Sequence, residues 1–213
     1  MSATLASRSD DSVATAPRVK LTEVFLSIQG EADSVGWPTV FVRLTGCPLR
    51  CQYCDTTYAF HGGEWMGIDQ VLGRVAEFAP QYVCVTGGEP LAQKNCLPLL
   101  AELCDAGYRV SLETSGAMPL AAVDPRVIRV VDIKTPGSRE ERRNRYEDLA
   151  LLRSEEQVKF VICDRADYEW SREKVAALGL GKNCRVLFSP SAEQLPAREL
   201  ADWILADRLG VRF

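Results

Sequence analysis

Thr45-Gly46-Cys47-Pro48-Leu49-Arg50-Cys51-Gln52-Tyr53-Cys54-Asp55-Thr56 is the stretch around which the rest of the chain is organised. Its three cysteines, Cys47, Cys51 and Cys54, are spaced C-x3-C-x2-C. Three thiolates on one short loop can converge on a soft-metal centre, one ligand short of closure by four thiolates. The only histidine, His61, lies seven residues past Cys54 and is no obvious fourth ligand. Iron–sulfur clusters are usually held by four thiolates, so a three-cysteine loop points to a [4Fe–4S] cluster whose fourth iron is open for chemistry. Half of a zinc site, or three unrelated core thiols, are the other readings of the same spacing.

On both sides of this loop, apolar runs of strand and helix period alternate. Leu21–Ile28 reads as a strand leading into Gln29-Gly30-Glu31, where glycine either lets the backbone approach a ligand or simply makes a turn. Thr39–Leu44 is a strand rich in β-branched and aromatic residues. Arg43 interrupts its apolar pattern, and a buried arginine needs an anion, either a ligand carboxylate or phosphate or a structural partner. Ile68–Ala79 has apolar residues at 68, 71, 72, 75, 76 and 79, which is helical spacing. Tyr82–Thr86 is a strand ending in Gly87-Gly88-Glu89-Pro90.

The alternation continues with a helix over Leu97–Ala106, stopped by Gly107, and strands over Tyr108–Glu113 and Val127–Ile133. A charged helix with a solvated face is expected over Arg139–Leu152. A strand over Gln157–Cys163, a helix over Tyr168–Leu178, a strand over Cys184–Phe188 and a helix over Ala192–Leu205 follow. Val211-Arg212-Phe213 opens a further strand. This predicts an α/β fold with a mainly parallel sheet and helices outside it. About six strands are too few for a closed eight-unit barrel, so an open, partial barrel is expected, with the site along the strand ends. Residues 1–20 read as a flexible tail and residues 21–213 as a single domain.

The chain has 213 residues, 46% hydrophobic and 25% charged, with a net charge of −4. That balance argues against a general nucleic-acid binder, and no apolar run approaches the roughly 20 residues that span a bilayer. The N-terminal stretch lacks the apolar segment of an export signal. Eight cysteines would suggest disulfides in a secreted chain. Here Cys84, Cys96, Cys104, Cys163 and Cys184 sit in apolar patterns and read as small buried hydrophobes in a reducing cytoplasm. His61 reads as a surface residue.

The cysteine spacing, Tyr53 before the third cysteine, Thr86-Gly87-Gly88-Glu89-Pro90 and Glu113-Thr114-Ser115-Gly116 together resemble the radical S-adenosylmethionine (SAM) superfamily. Within it, Glu23–Glu31, Gly36-Trp37-Pro38-Thr39, Phe41–Cys47 and Cys54-Asp55-Thr56 closely resemble the 7-carboxy-7-deazaguanine synthase family, from about residue 20 to the C-terminus. The resemblance implies a reduced (β6/α3) partial barrel, usually dimeric. It also implies conversion of 6-carboxy-5,6,7,8-tetrahydropterin to 7-carboxy-7-deazaguanine with loss of ammonia, on the route to queuosine. An electron from a donor such as flavodoxin would cleave SAM, and the resulting radical would take a hydrogen atom from carbon 6, so that the ring contracts.

By the same resemblance Cys47, Cys51 and Cys54 hold the cluster. Ile28, Gln29, Gly30, Arg43 and Thr86 hold the substrate, with Arg43 on its carboxylate. Tyr53, Cys54, Asp55, Gly88, Asp132, Ile133, Lys134, Ser189, Pro190, Ser191 and Ala192 line the SAM site, and the Gly-Gly-Glu-Pro motif takes the methionine amino group. Thr56 is the magnesium ligand, with substrate oxygens completing the shell, because one neutral hydroxyl binds a hard cation poorly. Ser115 and Glu31 are further candidates, near the SAM ribose and the substrate. Family members commonly continue past the position of Phe213 with a Gln-x-His-Lys strand and a tail reaching the substrate, so that final strand is expected to be missing. Two competing functions are a glycyl-radical-enzyme activase, which would not need the Gln29-Gly30-Glu31 and Arg43 constellation, and a zinc-stabilised binding module without catalysis.

Overall fold

The β-rich runs form one eight-stranded sheet in the computed structural model, which describes residues 16–213. Its strands are β1 (Arg18–Ile28), β2 (Pro38–Leu44), β3 (Glu64–Gly67), β4 (Tyr82–Gly87), β5 (Arg109–Thr114), β6 (Ile128–Ile133), β7 (Gln157–Ile162) and β8 (Arg185–Pro190). The spatial order is β3-β1-β2-β4-β5-β6-β7-β8. β2, β4, β5, β6, β7 and β8 run parallel, and β1 pairs antiparallel with both β2 and β3. The expected six-stranded parallel core is therefore present, extended at one edge by an antiparallel pair. Beyond β8, Arg212 bridges to Leu187 in parallel, so the segment opening at Val211 does begin to pair.

Among the described residues, five α-helices accompany the sheet: α1 (Ile68–Ala76), α2 (Cys96–Asp105), α3 (Arg165–Leu178), α4 (Leu180–Asn183) and α5 (Ala197–Ala206). α1, α2 and α3 are the longer crossovers within the parallel core. Parallel strands covered by helices carry apolar residues on the covered face. Here Val40 and Val42, Val83 and Val85, Val110 and Leu112, Val131 and Ile133, and Val158 and Phe160 are all buried. Alternate residues face the concave side, which leaves room there for polar chemistry. The apolar interior is divided in two. One cluster joins the β1–β5 half to α1 and α2, the other joins the β6–β8 half to α3 and α5, and Leu91 packs against both.

Several expectations are corrected. β1 starts at Arg18, inside the stretch assigned to the tail, because Arg18–Leu21 pair with the unforeseen β3; residues 1–15 lie outside the described residues. α1 stops at Ala76 rather than Ala79. Pro80 follows Ala79, disfavours a helical backbone there, and Ala79 takes a φ of 46°. α5 starts at Ala197, since Pro196 cannot lie inside a helix and serves as its N-cap.

The charged helix over Arg139–Leu152 is absent; short 3-10 turns at Pro136–Ser138, Glu141–Arg143 and Tyr146–Leu151 replace it. Asn144 is the physical reason. Its side chain accepts from Lys134 N (2.9 Å) and donates to Lys134 O (2.8 Å), acting as a strand partner at the end of β6. Arg139, at a φ of 66°, turns the chain out of helical register.

Candidate active site

Strand register places a row of side chains on the concave face. Glu23 of β1 is opposite Arg43 of β2, and Arg43 is opposite Thr86 of β4. Glu113 of β5 is opposite Val130 of β6, and Asp132 of β6 is opposite Lys159 of β7. Together with the cysteine loop and the ends of β4, β5 and β8, Arg43, Thr86, Glu113, Val130, Asp132 and Lys159 border a cavity of about 450 Å³.

Cys47, Cys51 and Cys54 all line it. The loop is held rigidly for a segment without regular structure. Gly46 N–H donates to Ala59 O (2.8 Å), and Arg50 Nη1 donates to the Cys47 and Leu49 carbonyls while its guanidinium lies 4.4 Å over Phe60. The segment after β6 straps the loop from outside. Gln52 N–H donates to Ser138 O (3.1 Å), and Arg50 N–H donates to Glu140 Oε1 (2.5 Å). Burial pushes the Cys47 thiol above its ordinary value and the Cys51 thiol up to about 11. Metal binding would take off these protons.

The fit to the expected groups can be judged from the residues. Among the described residues no three His, Cys, Asp or Glu side chains converge on a point that a single ion could occupy. Three thiols around one cavity suit a multi-iron cluster. Two buried polar atoms beside the cysteines lack any partner, Tyr53 Oη and Asp132 Oδ1. Unpaired buried polar groups are costly, so the residues here fit a polar ligand at this end of the cavity.

The Gly-Gly-Glu-Pro turn meets the cysteine loop backbone to backbone. Gly88 N–H donates to Leu44 O (3.2 Å) and Glu89 N–H to Gly46 O (2.9 Å). A Cβ on Gly88 would come within 2.4 Å of Gly46 O and 2.7 Å of Cys47 Cβ, and one on Gly87 within 2.2 Å of Leu44 O. Only glycine permits this approach. Glu89 is fully buried and faces away from the cavity. Its carboxylate accepts from Leu91 N–H (2.9 Å), Ser115 N–H (2.7 Å), Ser115 Oγ (2.5 Å) and Thr114 Oγ (2.9 and 3.0 Å). The acidic member of the motif thus ties the ends of β4 and β5 together.

Arg43, Lys134 and Lys159 are each paired with a carboxylate. Arg43 Nε donates to Glu23 Oε1 (2.7 Å), which also accepts from Tyr58 Oη (2.9 Å). Lys134 Nζ donates to Asp132 Oδ2 (2.9 Å), and Lys159 Nζ to Glu31 Oε2. Burial opposes the charge on both lysines, but Asp132, with Cys51 for Lys134 and Glu31 for Lys159, outweighs it and holds both above the usual lysine range. Glu113 has neutral partners only, Gln29 Nε2 (3.3 Å) and Thr86 Oγ1 (3.2 Å).

Of the residues expected from sequence, Gln29, Arg43, Thr86, the three cysteines, Tyr53, Asp55, Thr56, Gly88, Asp132, Lys134 and Ser189–Ala192 line the cavity, as do Glu31 and Ser115. Ile28, Gly30 and Ile133 do not. Ile28 is 59% exposed, and Ile133 points into the helix-covered core because it has the opposite parity to Asp132. His61 is exposed. Sequence reasoning missed Glu113 and Lys159. Lys159 interrupts an apolar run, the same signal that singled out Arg43, whereas Glu113 stands in a strand that alternates polar and apolar residues.

A family model described as the Radical SAM superfamily matches residues 41–133. A protein named 7-carboxy-7-deazaguanine synthase from Chlorobaculum tepidum is 43% identical over 203 residues, covering 94% of this chain and 92% of its own. Another of that name, from Koribacter versatilis, is 42% identical over 209 residues, covering 91% and 92%. The crystal structure of QueE from Escherichia coli superposes with a TM-score of 0.75 at 23% identity over 92% of each chain, a likeness in fold.

Proposed function

The chain belongs to the 7-carboxy-7-deazaguanine synthase family, and from that membership we propose how its own side chains divide the reaction. The protein is a radical SAM lyase that contracts 6-carboxy-5,6,7,8-tetrahydropterin to 7-carboxy-7-deazaguanine with release of ammonia, in 7-deazapurine (queuosine) biosynthesis. A [4Fe–4S] cluster and SAM, when bound, supply the one-electron chemistry that generates a carbon radical.

Cys47, Cys51 and Cys54 hold the cluster. Asp132 Oδ1 and Tyr53 Oη offer unpartnered polar atoms to SAM, with Asp55, Gly88, Lys134 and Ser189–Ala192 around them. Arg43 receives the substrate carboxylate. Its Nε is taken by Glu23, while its two Nη groups donate to nothing among the described residues and present a fork to a planar anion. Glu113 fixes the Gln29 amide and the Thr86 hydroxyl by accepting from both. The Glu113 and Glu31 carboxylates are acceptors for the amino and ring N–H groups of a pterin. Phe41, Leu49, Phe60, Val130 and Val161 line the same space and exclude water from it.

Thr56 would help hold Mg2+; its hydroxyl donates to Asp55 Oδ1 (2.6 Å), so a carboxylate lies beside it, and further oxygens would have to come from the substrate. The protein works as a cytoplasmic homodimer reduced by a flavodoxin-type donor. Eight free thiols accord with a reducing compartment, and no helix among the described residues is long and apolar enough to cross a membrane.

The observation that carries this reading is the three-thiol loop opening onto the same cavity as Arg43, Thr86 and Glu113. The test is anaerobic: reconstitute the cluster, reduce it, add SAM, Mg2+ and the carboxypterin, and follow products by mass spectrometry. 7-Carboxy-7-deazaguanine is expected. Cleavage of SAM without that product would overturn the substrate assignment.

A further inference from the structure

The β1–β2 loop, residues 29–37, leaves one side of the sheet and reaches the other. β1 and β2 are separated from β7 by β4, β5 and β6 in the strand order, yet the loop touches β7, β8 and the C-terminal segment. Asp33 is the contact point. Its N–H donates to the side chain of Gln157 at the start of β7 (2.9 Å), and its carboxylate is gripped by Arg212 Nη1 (2.7 Å) and by Arg185 Nη1 at the start of β8. The loop thereby closes the end of the half-barrel at which the parallel strands begin, forming a floor beneath the cavity.

The loop carries Gln29 and Glu31, both of which line that cavity. Between Glu31 and Asp33, Ala32 is buried and left-handed, with a φ of 61°. A non-glycine residue holds that conformation only where its surroundings over-determine it. Here Glu31 is held inward by Lys159 and Asp33 outward by its two arginines. The left-handed residue is what sends the two neighbouring carboxylates in opposite directions.

We propose that Asp33, clamped by Arg185 and Arg212, is a positioning residue for the substrate, fixing the floor loop so that Gln29 and Glu31 keep their places in the cavity. The inference rests on the reading of Gln29 and Glu31 as substrate-side residues. Arg185 and Arg212 are 56% and 43% exposed at their side chains, so each pair is modest and screened by salt. Losing both raises KM for the carboxypterin by about fivefold, within what two exposed pairs can supply.

The test compares wild type with Asp33→Asn and, as a milder variant at an exposed position, Arg212→Gln. Three outcomes are expected together. KM for the carboxypterin rises about fivefold in Asp33→Asn, while KM for SAM, kcat and iron content stay unchanged. Amide hydrogen exchange over residues 29–37 speeds up in both variants without change in β4 or β5. Raising salt increases KM less steeply in Asp33→Asn than in wild type, and Asp33→Glu recovers most of the lost affinity. An unchanged KM with unchanged loop exchange would overturn the proposal, as would an equal loss of SAM affinity. If wild type fails to turn over the carboxypterin, the functional reading falls, while the exchange comparison still decides whether the clamp holds the loop.

Discussion

Glu89→Gln isolates the tie between the ends of β4 and β5. Glutamine keeps the volume but offers one oxygen where the carboxylate has two. If that oxygen faces Ser115, the new NH2 meets the Leu91 N–H, donor to donor; if it faces Leu91, the Ser115 N–H is orphaned. Either way a buried backbone donor loses its acceptor, at about 1–3 kcal/mol, and the surviving bonds lose their charge assistance, for roughly 3 kcal/mol in all. In a chain of 213 residues each kcal/mol moves Tm by about 2–4 °C, so a fall of about 6–12 °C is expected. The assay is thermal unfolding of the cluster-free protein under reducing conditions, with exposed Glu173→Gln as the unchanged control. A Tm within about 2 °C of wild type would refute the reasoning, since the buried N–H would then have found another acceptor at little cost.

Cys51→Ser lowers iron per chain after reconstitution to near background and abolishes SAM cleavage, read by iron analysis and chromatography; a full iron complement would show that Cys51 is not a ligand. Arg43→Lys loses the planar fork while keeping the charge, so KM for the carboxypterin rises about tenfold or more with KM for SAM unchanged; steady-state kinetics at varied substrate decide it. Glu156 is fully buried against Arg129 (2.5 and 2.6 Å). Burial pushes its carboxyl up, but the bonds from Arg129 and the Arg153 N–H outweigh that and hold it below the usual range. A depressed carboxylate stabilises above its unfolded pKa and loses that contribution as pH falls through the folded one. The stability gap between wild type and Glu156→Gln therefore narrows as cluster-free protein is taken from about pH 6 to about pH 3, measured by urea unfolding; a constant gap would refute it.

Much of this arrangement was legible in the residues. Strand-period runs ending in glycine and polar motifs predicted a parallel partial barrel with its site on one edge, and the Arg43 interruption called for an anion, of which Glu23 is one. What was not legible depended on partners far away in sequence. The run over Arg139–Leu152 has helical composition, but Asn144 pairs with Lys134 and Glu140 reaches the Arg50 N–H, so tertiary bonds override propensity. Glu113 was read only as the start of the Glu113-Thr114-Ser115-Gly116 motif, and Lys159 only as part of a strand. Ile133 was included because a three-residue motif was carried over whole, although alternate residues of a strand face opposite ways.

The division of the apolar interior into two clusters has a consequence for how the molecule responds to its ligands. Arg43, Thr86 and Glu113 stand on one half, and Asp132, Lys134, Lys159 and Ser189–Ala192 on the other. The halves meet through β5–β6 backbone pairing, through Leu91 and through the floor loop. A cofactor and substrate lodged between them act as a polar splint across the seam. Ligand binding thereby adds coupling across the seam and slows amide exchange along the β5–β6 pairing.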